Sequence, residues 1–503
     1  MALWWLLACL IGPQAIVQAF QHGMQAAARA VLESQAERGL PLDIVLRQYV
    51  RAHDLWGASR DSLSDLVFGV ARRQARLDWR LRDVGVDCTP SNRVAALLYL
   101  SGTIGAGKSG SPKGMASKRA AARDADDAGN LAASLLSCNG WLRGLGAPGS
   151  ELETEQMPLQ ARLECPDWAW PRFQQAYGGC AEAHEEGGSD PALSAELRAL
   201  QEPAPLDLRV NLLKQPSRAA ALEALKQAGL EAREATWSPV GIRLLGRRVP
   251  LSQIPGLLEG AVEPMDEGSQ LIAQLVGARP GEVVVDYCAG SGGKTLALSA
   301  WMGNTGQVWA MDLDPRRLER GRPRASKAGA MNVRRHAIEP MGKDKFLKRK
   351  LRRACDRVLV DAPCSGTGAW RRKPDSRWPS RSSAEVAALD DAEPWRGKAA
   401  DVDVDVVGRL VYVQAEVLSR AARLVKPGGR LVYATCSILP EENERQVERF
   451  LAGAEGEALG WRLETGEVAG FSGPRDRDGY MRLSPARTDT DGFFAAILTR
   501  DPI

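Results

Sequence analysis

The sequence predicts an α/β protein in three parts: an all-helical domain over 24–200, a small α/β module over 201–262, and a doubly wound parallel sheet over 263–503. Three observations carry this. Four apolar, β-branched runs, VVVDYCAG (283–290), QVWAMDLD (307–314), DRVLVDAP (356–363) and GRLVYATC (429–436), alternate with helical stretches, which is the pattern of strands buried on both faces. The first run leads directly into a glycine-rich turn, CAGSGGKT (288–295). Between 24 and 99, by contrast, apolar residues recur at three and four, as in Leu63, Leu66, Val67 and Val70.

The elements follow in order. LWWLLACLIG (3–12) is an apolar run too short to span a bilayer, and IVQAF after it offers a cut following Ala19. Residues 1–23 therefore read as a leader, although it lacks a basic start. A leader with Phe20 next resembles the bipartite plastid leaders of algae with secondary plastids. It sends the protein to an organelle if used; otherwise the protein is cytoplasmic. The helical domain follows, interrupted over 101–131 by a Gly-, Ser-, Lys- and Asp-rich stretch that reads as a flexible insertion. PLDLRVNLLK (205–214) reads as a strand, 219–229 as a helix and GIRLLG (241–246) as a strand, giving the small module. The acidic, Ala-rich stretch near 383–408 reads as an inserted loop in the C-terminal domain.

Composition excludes several classes. The 503 residues are 44% hydrophobic and 25% charged, an ordinary soluble balance with ample material for cores. The nine cysteines are odd in number, irregularly spaced and form no C-x-x-C, which argues against a disulfide framework and a zinc site. The histidines at 22, 53, 184 and 336 are scattered, so no metal is expected. The net charge of +4 hides an asymmetry: Arg316 to Arg357 holds sixteen Lys/Arg against four Asp/Glu. Such a segment suits an anionic partner, nucleic acid above all, or else is a solvated helical face.

Two glycine-lysine stretches compete as ligand loops. GTIGAGKS (102–109) fits the phosphate-loop spacing, but Gly110, Pro112 and Gly114 prevent the helix that must follow. CAGSGGKT has a strand before it and the helical TLALSAWM after it. The next strand ends in Asp312, at the place where an acid binds ribose hydroxyls. This is a Rossmann-like fold with an adenosine ligand. The spacing of Gly290, Gly292 and Thr295 departs from the dinucleotide fingerprint.

The chemistry lies at two later strand ends. DRVLVD runs into APCSGTG, placing Asp361 and Cys364 at its tip; GRLVYAT runs into CSILPEEN, placing Cys436 at another. Ligands of open α/β sheets sit at the carboxyl ends of strands, so both cysteines face the glycine loop's cleft. DEGSQ (266–270), DYCAGSGGKT (286–295), DLDPRRL (312–318), DAPCSGTGAWRRKPD (361–375) and KPGGRLVYATCSILPEEN (426–443) resemble, in order, the motifs of RNA (cytosine-5) methyltransferases of the Sun (NOL/NOP/Sun) family. The likeness is closest to the bacterial 16S rRNA branch. RVNLLK (209–214) resembles the strand of its RNA-binding module and DGFFAAIL (491–498) its closing strand, while 24–200 is only loosely similar to its NusB-like domain.

The resemblance implies an S-adenosyl-L-methionine (SAM)-dependent methyltransferase acting on RNA, rRNA in the first place, as a monomer without a metal or a membrane span. Cys436 would be the nucleophile and Cys364 would assist product release. Asp361 would hold the cytosine edge, with Lys294 orienting the same site. Cys288, Ala289, Gly290, Ser291, Gly292, Gly293 and Lys294 would cradle the methionine part of the cofactor, with Asp361 alongside. Asp312, supported by Arg317, would take the ribose, and Glu339 the adenine. Arg209, Asn211, Lys214, Arg371 and Arg372 would contact RNA.

Overall fold

The computed structural model describes residues 23–101, 140–145, 150–178, 190–215, 217–246, 249, 251–339, 344–378 and 405–502. Residues 1–22 of the 1–23 leader, the GTIGAGKS stretch with the rest of the insertion to 131, and 383–404 of the 383–408 insertion lie outside the described residues. The chain forms two compact units. One is Met1–Gln201 with Lys373–Ala388; the other is Glu202–Arg372 with Leu389–Ile503.

The first unit is helical. Helices over 23–38, Leu42–Ala52, Gly57–Arg72, Gln74–Asp83 and Pro90–Ser101 bury Ala28, Val31, Leu63, Val67, Leu77, Leu81 and Val94 in one core. The helix Gln74–Asp83 follows Arg73, which supplies no side-chain cap. The buried carboxylate of Glu164 does so from a distance in sequence: it accepts the Ala75 N–H at 2.8 Å and the Arg76 N–H at 3.2 Å, and pairs with Arg76 Nε at 2.8 Å. An anion at a helix N-terminus satisfies donors the helix cannot.

Residues 373–378 belong to this unit although they follow the APCSGTG turn, ahead of the insertion that the sequence suggests near 383–408 within 263–503. Asp375 accepts the Leu42 N–H at 2.9 Å, Trp378 Nε1 donates to Ala71 O at 3.1 Å, and Trp168 Nε1 donates to Arg377 O at 3.0 Å. The buried Arg377 guanidinium donates to Leu200 O.

The second unit holds two sheets. Strands β1 (Leu206–Val210), β2 (Ala232–Glu234), β3 (Gly241–Leu244) and β4 (Val262–Pro264) form an antiparallel sheet in the order β2-β3-β1-β4. The helix Arg218–Gln227 shares a core with it through Ala221 and Leu225 against Leu208, Val210 and Ile242.

The larger sheet contains β5 (Val283–Asp286), β6 (Gln307–Asp312), β7 (Val333–Ala337), β8 (Cys355–Asp361), β9 (Val425–Thr435), β10 (Trp461–Leu463), β11 (Met481–Leu483) and β12 (Phe493–Arg500). Its order is β10-β12-β9-β8-β5-β6-β7, with β11 on β12. The five strands β5 to β9 pair in parallel, and β12 closes antiparallel on β9. The order runs outward in both directions from β5, so the cleft at its carboxyl end is the switch point where such sheets bind ligands. The expected loop near 383–408 ends in helix instead: Val406–Ala422 begins at an Asp405 cap, whose carboxylate accepts the Gly408 N–H at 2.9 Å.

Candidate active site

Four strand ends build the site. After β5 the chain turns through Cys288–Gly292 into the helix Gly293–Trp301. Gly290 (φ 55°) and Gly292 (φ 87°) take left-handed conformations that a side chain would strain. At Gly290 a Cβ would also lie 2.9 Å from the Arg317 guanidinium. The loop is tied down from below. The Gly290 N–H donates to Asp312 Oδ2 at 2.8 Å, and Arg324 Nη1 donates to Ser291 O at 2.9 Å and Oγ at 2.8 Å. Arg317 stands 3.7 Å from Asp312 with its own side chain largely exposed.

Asp286, at the tip of β5, was not among the expected site residues. Its Oδ2 accepts the Thr295 hydroxyl at 2.7 Å, while the buried Oδ1 has no partner among the described residues. Burial pushes its carboxyl up to about 7 against the pull of that hydroxyl, with Asp361 adding to the rise. The signal for Asp286 in the sequence is the acid that ends VVVD just before the glycines. A cradle of left-handed glycines, an orphaned carboxylate oxygen and a ribose-height acid suit a ligand that carries an amine and a nucleoside together. The thiol of Cys288 is held well above its ordinary pKa by burial, then by Asp312, Asp361 and Asp286 around it, so it is a neutral wall of the cleft.

Two cysteines follow the ends of β8 and β9. Cys364 Sγ and Cys436 Sγ are 3.4 Å apart. Beside them Lys294 Nζ donates to Asp361 Oδ2 at 2.7 Å and reaches Ser269 Oγ at 3.4 Å, under the face of Phe493 at 5.8 Å. Burial would lower the Lys294 pKa, but the Asp361 charge and hydrogen bond, helped by Asp286 and Cys436, raise it; the ammonium stays charged. The Cys364 thiol is pushed well above its ordinary pKa, first by its hydrogen bond with Cys436, then by burial, and further by the Cys436 and Glu442 charges.

Of the expected residues, Cys364 meets Cys436, Lys294 meets Asp361, and the glycine loop is tied to Asp312, which stands beside Arg317. Glu339 is exposed two positions beyond β7; its N–H donates to Asp344 Oδ2 at 3.1 Å, and that buried acid also pairs with His336 at 2.7 Å.

The expected RNA contacts divide. Arg209 is buried and pairs with Glu263 at 3.0 Å, and the same Glu263 pairs with Arg324 at 2.6 Å. Asn211 is buried and donates to Gly260 O and Ala328 O, each at 2.8 Å. Arg371 is buried on Asp491 at 2.6 Å, and Arg372 bridges Asp491 and Asp266. These four side chains are spent inside the protein, because each carries an amide or guanidinium that a neighbouring carboxylate or carbonyl already takes. Lys214 alone is exposed, its Nζ on Glu259 O at 2.8 Å.

The family described as 16S rRNA methyltransferase RsmB/F matches residues 273–394 and 395–499, and its ferredoxin-like domain matches 165–250. The ribosomal RNA small subunit methyltransferase B of Klebsiella pneumoniae (strain 342) is 30% identical over 91% of this chain and 96% of its own. The chain belongs to the RsmB/F methyltransferase family. A probable enzyme of the same name from Synechocystis is 29% identical over 91% of this chain and 95% of its own. Among solved structures, PH0851 superposes with a TM-score of 0.66 over 95% of this chain and 98% of its own at 23% identity. NSun6 from Pyrococcus horikoshii, solved with SFG, gives 0.53 over 67% and 99% at 19% identity. The RsmB/F cofactor is S-adenosyl-L-methionine.

Proposed function

We propose that this chain methylates carbon 5 of a cytosine in ribosomal RNA by way of a covalent adduct on Cys436. The observation that carries this reading is the cysteine pair, 3.4 Å apart at adjacent strand ends beside the Lys294–Asp361 pair. A methyltransferase acting on a hydroxyl or amine has no use for two thiols there. Carbon 5 of cytosine is a poor nucleophile until a thiolate adds to carbon 6 and leaves an enamine.

SAM, when bound by the 288–294 loop, Asp286 and Asp312, supplies an electrophilic methyl group on a sulfonium. Cys436 forms the bond to carbon 6. Asp361 accepts a hydrogen bond from the pyrimidine edge, and Lys294 fixes that carboxylate. Once carbon 5 carries both methyl and proton, Cys364 takes that proton while handing its own to the departing Cys436 sulfur. The electrons of the C5–H bond restore the ring's double bond, and those of the C6–S bond return to sulfur. The match to a 16S rRNA family supports rRNA as the substrate.

The test is methyl transfer from labelled SAM to total RNA. Wild type should label cytosine C5, Cys436→Ala should fall by at least about a thousandfold, and Cys364→Ala should accumulate a covalent protein–RNA adduct. Wild-type protein that binds SAM and RNA but labels nothing would make the chain an RNA-binding assembly factor.

A further inference from the structure

Beneath the two cysteine turns lies a buried carboxylate that the chemistry above does not use. Glu442 is fully buried in the turn Pro440–Glu442, six residues beyond Cys436. Its side chain reaches across to the other cysteine's turn. Oε1 accepts the Ser365 N–H at 2.8 Å and Gln414 Nε2 at 3.0 Å, and Oε2 accepts the Ser365 hydroxyl at 2.5 Å. Gln414, itself buried, also donates to Pro363 O at 2.9 Å, so both neighbours of Cys364 in the chain are held by one cluster. The backbone of Glu442 is fixed in turn: its carbonyl accepts the Tyr433 hydroxyl at 2.7 Å from β9. Three further contacts lace the turns together. The Gly368 N–H donates to Cys436 O at 3.0 Å, the Ile438 N–H to Thr367 Oγ1 at 3.1 Å, and Thr367 Oγ1 meets Ser437 Oγ at 3.1 Å.

Among the described residues every hydrogen-bond partner of the Glu442 carboxylate is neutral; burial raises its pKa, and the bonds from Ser365, Ser437 and Gln414 act against that rise. Burying a carboxylate without a cation is costly, and a glutamine has the same shape and could accept the same N–H bonds. Geometry alone therefore does not account for a glutamate. We propose that Glu442 is a positioning residue for the cysteine pair: it clamps the Cys364 turn onto the Cys436 turn and sets a negative charge beside Cys364. The groups that face Cys364 are Cys436, Glu442 and the Tyr433 hydroxyl, with the Lys294–Asp361 pair on the Cys436 side. Glu442 opposes the loss of the Cys364 proton. Cys364 then keeps the proton that it must hand to Cys436, and Cys436 is left as the single nucleophile.

This rests on the two-cysteine reading, and the test separates the two. Cys364 alkylation by iodoacetamide is followed by mass spectrometry across pH 6–11 in the full-length protein, with no RNA present. In Glu442→Gln, which keeps the shape and removes the charge, the midpoint for Cys364 should move down by about one unit. The same variant should release product more slowly and accumulate protein–RNA adduct, while its KM for SAM stays at the wild-type value. Glu442→Ala should lose methyl transfer about a hundredfold through the loosened clamp; if it does not fold, the glutamine variant decides. An unmoved midpoint in Glu442→Gln would overturn the proposal even if the enzyme is an active cytosine methyltransferase. A shifted midpoint in a protein that methylates no RNA would leave Glu442's role standing and remove the function assigned to the pair.

Discussion

At Asp286 the sheet holds a carboxyl group whose proton is tied to folding. Burial raises it from 3.8 to about 7, and the Thr295 hydroxyl, then the Lys294 charge, work the other way. The sign follows from proton counts. Between those values the unfolded chain has released a proton that the folded protein keeps, so stability falls as pH rises through that window. Below it nothing is lost; above pH 7 the full penalty, of order a few kcal/mol, persists. Asp286→Asn should therefore melt higher than wild type at pH 8, with the advantage vanishing near pH 4. If, as proposed, the orphaned oxygen takes the cofactor's amine, the variant should also bind SAM at least about tenfold more weakly. Melting curves at several pH values and calorimetry with SAM check both; a pH-independent difference in melting would remove the argument.

Elements, rather than single residues, explain what the sequence could and could not disclose. The strands β5, β6, β8 and β9 were legible because a parallel strand covered on both faces must be apolar throughout. β7, VRRHA, is an edge strand with three polar positions, and β10 and β11 are three residues each, too short for a period to register. Cys364, Cys436, Asp361 and the glycine loop could be placed at strand ends for a related reason: they directly follow strands that announce themselves. Arg371 and Arg372 were misread as RNA contacts because nothing local marks Asp491, more than a hundred residues away, as their partner. Arg209 was misread likewise. In the fold it begins a relay through Glu263 and Arg324 to Ser291 in the glycine loop. Glu263→Gln should accordingly raise the KM for SAM several-fold while leaving that for RNA unchanged, as steady-state kinetics with each substrate varied would show. The turn that carries Cys364 is held equally closely. A Cβ on Gly368 would sit 2.2 Å from Gly492 O, so Gly368→Ala should cost at least about 2 kcal/mol in urea denaturation and impair release of product.

Over the whole molecule, charge is distributed away from the chemistry. Lys345, Lys348, Arg349, Lys350, Arg352 and Arg353 are exposed and carry no acid partner among the described residues. They precede β8, whose seven residues put Asp361 about 20 Å further on. If flanking RNA phosphates rest here, changing Lys348, Arg349 and Lys350 to Gln should flatten the log–log salt dependence of RNA binding by about two, with kcat preserved. Filter binding between low and moderate salt measures it, and an unchanged slope would make the segment a solvated face.

The excursion of residues 373–378 bears on how such a protein can be inherited. A simple N-terminal deletion at residue 202 would leave Asp375, Arg377 and Trp378 behind without Leu42, Leu200 and Ala71. Recombination could not exchange the helical domain as a cassette, because part of its packing is written inside the gene for the catalytic domain. The two halves are bound to diverge as a single hereditary unit.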